Sequence, residues 1–314
     1  MPVHAFIFPG QGSQTVGMGR DLAAAFAPAR EVFQEVDETL KQRLSKLMFD
    51  GPAEDLTMTA NTQPALMAVS LAVLRVLEKE GGFRLADKAV LVAGHSLGEY
   101  SALAAAGSLS VSATARLLRL RGDAMQRAVP AGEGAMAALL GVTLEEAAAI
   151  CAEAAGDEVV QPANDNGAGQ VVISGHRGAV ERAIEVAKSR GVRRAMLLPV
   201  SAPFHCALMA PAAEAMREAL EEVDLQQPAP SLIANVTAAR EDDPVSIRDL
   251  LVRQVTGTVR WRESVEAMVG IGVDSFIELG AGKVLSSLAK RIAPDVQAAS
   301  AGNPAEIEAL LALL

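Results

Sequence analysis

The pentapeptide Gly94-His95-Ser96-Leu97-Gly98 constrains this chain more than any other stretch of it. Before it, Ala89-Val90-Leu91-Val92-Ala93 is short and apolar, like a buried strand. After it, Leu97 to Ala106 is rich in helix formers and stops at Gly107. A G-x-S-x-G sequence between a strand and a helix has the context of a nucleophile elbow. Its glycines allow a sharp turn and close backbone approach. Ser96 is then held at the mouth of a site, and the Leu97 N–H points, with the helix N-terminus, at any oxyanion formed there. The competing reading is a surface Gly-Ser turn that matches by chance, and the flanks argue against it.

The pattern around the elbow is mainly α/β. A strand over 3–8 leads into the loop Pro9-Gly10-Gln11-Gly12-Ser13-Gln14, and helical patterns follow near 18–46, 62–80 and 111–128. The middle of the chain has its own rhythm: a strand at 134–140, a capping box Thr143-Leu144-Glu145-Glu146 opening a helix to about 155, strands at 159–163 and 170–174, a helix over 178–190 and a strand over 194–200. That order is β-α-β-β-α-β, the ferredoxin-like signature, and it marks 128–199 as a small domain inserted in a larger one made of 1–127 and 200–314. Helices near 207–222, 244–255, 261–270 and 282–292, with strands at 231–236 and 273–279, complete the larger unit. Alternating strands and helices imply a mainly parallel sheet covered on both faces.

Half of the 314 residues are hydrophobic and only 3% are aromatic, so Ala, Leu and Val carry the core. A net charge of −10 argues against a general nucleic-acid binder. Cys151 and Cys206 are far apart and suggest neither a zinc site nor a disulfide framework, which fits a reducing, cytoplasmic setting. The N-terminus lacks the basic region and long apolar core of a signal peptide, and no apolar run approaches the ~20 residues of a membrane span.

A serine nucleophile needs a base, and the chain has four histidines. His4 opens a strand, His95 diverges from Ser96 across the turn and reads as packing support, and His176 follows a strand of the small domain. His205, in the loop Ser201-Ala202-Pro203-Phe204-His205-Cys206, is the base by elimination, against the alternative of a histidine that only solvates a helix entry. No carboxylate announces itself as a third triad member, so a carbonyl is an alternative partner for the imidazole. A second oxyanion donor belongs in a loop after an early strand, and Gly10-Gln11-Gly12 fits. Gly10-x-Gly12-x-x-Thr15 fails as a dinucleotide fingerprint, and Gly280-Ala281-Gly282-Lys283-Val284 fails as a P-loop. In the 111–128 helix, Arg116 and Arg119 suit solvent, with Arg119 spaced to pair with Asp123. Arg121 instead shares a face with Leu117, Leu118, Ala124 and Met125. It is either a structural or snorkelling arginine or a fork for a substrate carboxylate.

Gly10-Gln11-Gly12-Ser13-Gln14, Gln63-Pro64-Ala65, the elbow with Glu99-Tyr100-Ser101-Ala102, Arg121-Gly122, Gly169-Gln170-Val171-Val172-Ile173-Ser174-Gly175, His205-Cys206-Ala207-Leu208-Met209 and Gly280-Ala281-Gly282-Lys283-Val284-Leu285 occur together and in order. As a set they resemble the malonyl-CoA:acyl carrier protein transacylases of type II fatty acid synthesis, from Phe6 to about Arg291. The resemblance implies an α/β-hydrolase-like core with the ferredoxin-like insert and a Ser96–His205 dyad. It implies that the main-chain carbonyl of Gln254 orients the histidine and that the N–H groups of Gln11 and Leu97 form the oxyanion hole. Arg121 is assigned to the malonyl carboxylate. Phe204 stands where many bacterial members carry a small residue, although related malonyl-selective acyltransferases carry Phe there; it is expected to line the acyl site.

The expected reaction is ping-pong transfer of malonyl from malonyl-CoA, through malonyl-Ser96, to the phosphopantetheine thiol of acyl carrier protein, with no metal or redox cofactor. The enzyme is expected to be a monomer with no nucleic-acid or membrane partner. Carrier docking would fall to one of two basic clusters: Lys188, Arg190, Arg193 and Arg194, or Lys283, Lys290 and Arg291. Three alternatives stand beside it: a serine thioesterase or esterase on the same elbow, a non-catalytic acyl-binding protein, and a trans-acting polyketide acyltransferase.

Overall fold

Strand formation follows apolar runs that bury both faces of one sheet. In the computed structural model, which describes residues 2–314, ten strands form two sheets. They are β1 (His4–Phe8), β2 (Ala89–Gly94), β3 (Gly134–Leu140), β4 (Val160–Asp165), β5 (Gln170–His176), β6 (Arg194–Leu197), β7 (Ser231–Ile233), β8 (Arg240–Glu241), β9 (Ser275–Leu279) and β10 (Gln297–Ala301). Met1, the first residue of the N-terminal segment and of the 1–127 span, lies outside the described residues.

The larger sheet has the order β10-β9-β1-β2-β7-β8 and is parallel except for β8 at its edge. Alternation along β1 sends Phe6 and Phe8 into one apolar cluster and Ala5 and Ile7 into another on the opposite face. Helices cover both faces, as a parallel sheet requires. Helix Thr59–Gly81 is long and apolar enough to cross a membrane by length and composition, an extent the sequence reading does not assign it. It is almost wholly buried and serves as the core helix of this layer.

The smaller sheet is antiparallel, order β4-β5-β3-β6, with helices Leu144–Ala155 and Arg177–Ser189 packed on it over an apolar core of their own. The Thr143/Glu146 capping box is present. Val259 touches both units: its N–H donates to the Ala163 carbonyl and its carbonyl accepts from Asp165 N–H of β4, both at 2.9 Å, while its side chain lies in the apolar cluster of Ala5 and Ile7 under the larger sheet.

Several expected elements differ. The 18–46 pattern is three helices, Arg20–Ala25, Ala27–Leu40 and Leu44–Asp50: Phe26 is extended as the N-cap of the second helix, whose first turn holds Pro28, and Lys41 turns left-handed at φ 50°. The strand expected over 231–236 ends at Ile233, where Ala234 to Ala239 close a tight turn. β10 and helix Pro304–Leu313 are additional. Arg119 does not pair with Asp123; it donates to Asn61 and Gln42 across the helix packing.

Candidate active site

The elbow forms because its two glycines leave no room for side chains. A Cβ on Gly94 would lie 1.9 Å from the Gly98 carbonyl oxygen, and one on Gly98 would lie 2.2 Å from that of Phe8. Between them Ser96 is held at φ 54°, ψ −112°, a conformation a side-chain-bearing residue rarely adopts. Asn235, just beyond β7, holds both limbs of the turn: its Oδ1 accepts the Ser96 N–H at 2.8 Å and its Nδ2 donates to the Gly94 carbonyl at 2.7 Å. Leu97 then opens helix Leu97–Ala105, so its N–H has no carbonyl within the helix to meet.

His205 reaches the serine from its own strained position, at φ 59°. Its Nε2 lies 2.8 Å from Ser96 Oγ, and its Nδ1 lies 2.9 Å from the Gln254 main-chain carbonyl. A carbonyl only accepts, so Nδ1 carries the proton and Nε2 is free to take the serine's. Burial, and then the nearby Arg121 charge, lower the His205 pKa to about 3, so the imidazole is neutral at ordinary pH.

Arg121 is 1% exposed. Its guanidinium donates to Gln63 Oε1 and Gln254 Oε1, each at 2.8 Å, and to Ser96 Oγ at 3.1 Å, and it lies over the Tyr100 ring, 5.6 Å from the centroid. Gln254 is therefore shared: its carbonyl holds the histidine, its Oε1 holds the arginine, and its Nε2 donates to the Ser96 carbonyl at 2.9 Å. A second chain of amides runs outward. Gln63 Nε2 donates to Thr59 Oγ1, which donates to Gln11 Oε1, both at 3.0 Å. Gln11 is thus tied to the arginine through helix Thr59–Gly81.

Ser96, His205, Arg121 and Gln254 meet directly, and Gln11 joins them through Thr59 and Gln63. Phe204 is buried in the main apolar cluster beside His205. His95 turns away, with Nε2 3.0 Å from Asn166 Oδ1 and its ring against Trp261. Asn235, Thr59 and the buried Glu99 were not singled out from the sequence; each is ordinary in its local pattern, and only the fold brings it to the site. Among the described residues, no cluster of His, Cys, Asp and Glu is arranged to hold a metal ion.

A neutral histidine on a serine hydroxyl, beside a buried guanidinium, is equipped for acyl transfer. Residues 5–305 match the acyl transferase domain family. The chain belongs to that family. This acyltransferase is 46% identical over 313 residues to malonyl CoA-acyl carrier protein transacylase of Escherichia coli (strain K12), covering 100% of both chains. It also resembles the crystal structure of acyl-carrier-protein-S-malonyltransferase from Bartonella henselae, at 56% identity, TM-score 0.97 and 99% coverage of each chain. A solved complex of a type II PKS acyl carrier protein with its malonyl-transacylase is similar at 43% identity and TM-score 0.96, over 99% of this chain and 100% of that one.

Proposed function

We propose that this acyltransferase moves a malonyl group from malonyl-CoA to the phosphopantetheine thiol of acyl carrier protein through a malonyl-Ser96 ester. The observation that carries the proposal is Ser96 Oγ within hydrogen-bond distance of both His205 Nε2 (2.8 Å) and the Arg121 guanidinium (3.1 Å). A buried fork of positive charge beside the nucleophile suits an acyl chain that ends in a carboxylate.

In this mechanism the malonyl carboxylate docks on Arg121. His205 Nε2 takes the hydroxyl proton as Ser96 attacks the thioester carbonyl. The Gln11 and Leu97 N–H groups receive the oxyanion, each contributing about 3 kcal/mol. His205 returns the proton to the departing coenzyme A thiolate. The carrier thiol then repeats the sequence on the ester, giving ping-pong kinetics. Gln254 orients His205 through its carbonyl, and Phe204 borders the acyl site. The mechanism calls on no metal or redox cofactor.

We read residues 1–127 and 200–314 as an α/β-hydrolase-like catalytic unit and 128–199 as a ferredoxin-like insert; the β-α-β-β-α-β order and the β4-β5-β3-β6 sheet support this. The enzyme is proposed to work in the cytoplasm as a monomer, since every group in the mechanism comes from one chain and both cysteines are free thiols.

The test is intact-mass spectrometry after mixing with malonyl-CoA. A malonyl adduct in the wild type that is absent in Ser96→Ala supports the mechanism; an undiminished adduct in Ser96→Ala overturns it. The type II PKS relative supports a second reading, in which the acceptor is a polyketide carrier. Comparing kcat/KM for fatty-acid and polyketide carriers separates the two.

A further inference from the structure

Glu99 is a carboxylate buried at this site that no step above uses. It lies in the first turn of helix Leu97–Ala105 and is 1% exposed. One oxygen accepts from Gln254 Nε2 at 2.5 Å and the other from Asn235 N–H at 3.3 Å. The same Gln254 amide accepts from Arg121 through Oε1 at 2.8 Å. Acid and guanidinium therefore hold opposite ends of one amide, and each polarises it toward the other.

Among the described residues the surroundings offer Glu99 no second cation. Arg121 comes from helix Val111–Arg127, and Tyr100, a phenol that burial holds protonated, is its neighbour in sequence. Helix Thr59–Gly81 sends Thr59 and Gln63 into the site, helix Pro244–Thr256 sends Gln254, and the turn after β7 sends Asn235; none of these ionises. β2 has no ionisable side chain, and β1 has only His4, at its far end. The His205 ring is neutral.

With Glu99 ionised, above about pH 7, the buried charge is balanced: one guanidinium and one carboxylate. An acyl carboxylate arriving on Arg121 would bring a second buried anion to one cation, an arrangement in which one of the two acids is driven to protonate. We propose that Glu99 is the resident counter-ion of Arg121, and that a docking acyl carboxylate replaces it in that role while Glu99 takes up one proton from solvent. Glu99 touches no reacting atom; it is a positioning residue that acts through Gln254 and Arg121. Burial already pushes its carboxyl up to about 7, against the lowering effects of Gln254, Asn235 and Arg121, so the uptake falls in an accessible pH range. The inference rests on Arg121 as the carboxylate clamp.

The consequence is a linkage between pH and affinity. Below about pH 7 Glu99 is protonated and the affinity for malonyl-CoA is flat. Above it, the substrate must bring a proton with it, and Kd rises toward tenfold per pH unit. Acetyl-CoA has the same coenzyme phosphates and no acyl carboxylate, so its Kd should lack this component.

The experiment is calorimetry of Ser96→Ala protein with malonyl-CoA and acetyl-CoA at pH 8, in buffers of different ionisation enthalpy. We expect close to one proton more taken up with malonyl-CoA than with acetyl-CoA, and no difference once Glu99→Gln is added. Equal uptake with the two ligands, or an excess that survives Glu99→Gln, overturns the proposal. If the Gln variant does not fold, Glu99→Asp replaces it, and an unshifted pH midpoint of uptake overturns the proposal. Malonyl-CoA binding no tighter than acetyl-CoA at pH 6 would instead overturn the clamp itself, so the two failures are distinguishable.

Discussion

Replacing Arg121 with Ala tests the acyl selectivity most directly. The side chain makes three hydrogen bonds, to Gln63, Gln254 and Ser96. Losing them leaves two amide oxygens and the serine each short of a donor, at about 1–2 kcal/mol apiece where water does not replace it. That loss falls on every substrate alike. A carboxylate brought into the site with no partner costs about 3–5 kcal/mol more, and this falls on malonyl alone. At tenfold per ~1.4 kcal/mol, the ratio of kcat/KM for malonyl-CoA over acetyl-CoA should drop by about two hundred- to several thousand-fold. The assay is transfer to carrier protein from each thioester, followed by mass spectrometry. Arg121→Lys keeps the charge and loses the fork, so its ratio should fall between the two. An unchanged ratio in Arg121→Ala would make the arginine structural and refute the assignment.

Four further outcomes follow from the structure. The His205 pKa is lowered from 6.5 to about 3 in the folded protein, so the rate of Ser96 acylation in stopped flow should show no acid limb near pH 6.5. Because the folded value is the lower one, the unfolded chain binds the extra proton; the stability contributed by this group is complete above 6.5 and is lost as pH falls toward 3, which denaturant titrations of wild type and His205→Ala will read. Asn235→Ala should slow adduct formation and lower the unfolding free energy by about 1–3 kcal/mol, since the Ser96 N–H and the Gly94 carbonyl lose their partner. Of the basic clusters, Lys188 and Arg190 are paired with Glu185 and Glu153, and Lys290 holds the Pro294 and Val296 carbonyls. Among the described residues Arg193, Arg194, Lys283 and Arg291 are exposed and in no ion pair; Arg193→Glu with Arg194→Glu should raise KM for the carrier while sparing acylation by malonyl-CoA, and unchanged carrier kinetics would place docking away from β6, with the Lys283 and Arg291 face the next to reverse.

What was legible in the sequence is what local pattern encodes. Ser96 stands in a strand–turn–helix unit, Arg121 breaks an apolar helix face, and His205 was found by elimination among four histidines. The contacts that tie these three together are not legible: the resemblance points to Gln254 for its carbonyl alone, and Gln63 and Glu99 occur in the motifs with no role attached. Asn235 meets Ser96 across 139 residues, and Gln254 meets Glu99 across 155. Nothing in the neighbourhood of either residue specifies a partner so far away. Where a local rule was applied to Arg119, tertiary packing overrode it: Asn61 and Gln42 outcompeted an exposed pairing with Asp123. β10 carries no strand signal, because Gln297-Ala298-Ala299-Ser300-Ala301 has no β-branched or aromatic residue, and its pairing to β9 supplies what propensity lacks. Helix Pro304–Leu313 did carry a signal, with Asn303 as N-cap and Pro304 following it.

The absence of a carboxylate behind His205 follows from the same charge balance that involves Glu99. In a Ser-His-Asp arrangement the acid stabilises the imidazolium that forms as the serine is deprotonated. Here the position is taken by the Gln254 carbonyl, a neutral acceptor, 2.9 Å from Nδ1. A fixed aspartate there would be another anion near Arg121, which already acts on the histidine through its charge. In the proposed mechanism it would compete with an incoming malonyl carboxylate for the same guanidinium and weaken the interaction to which selectivity is assigned there. A carbonyl fixes the tautomer without adding charge. Since Gln254 supplies that carbonyl from its backbone and holds Arg121 with its side chain, orientation of the base and placement of the clamp rest on one residue. A base with no carboxylate behind it is thus the arrangement the proposed mechanism requires if Ser96 as nucleophile and Arg121 as carboxylate clamp are to share one buried site.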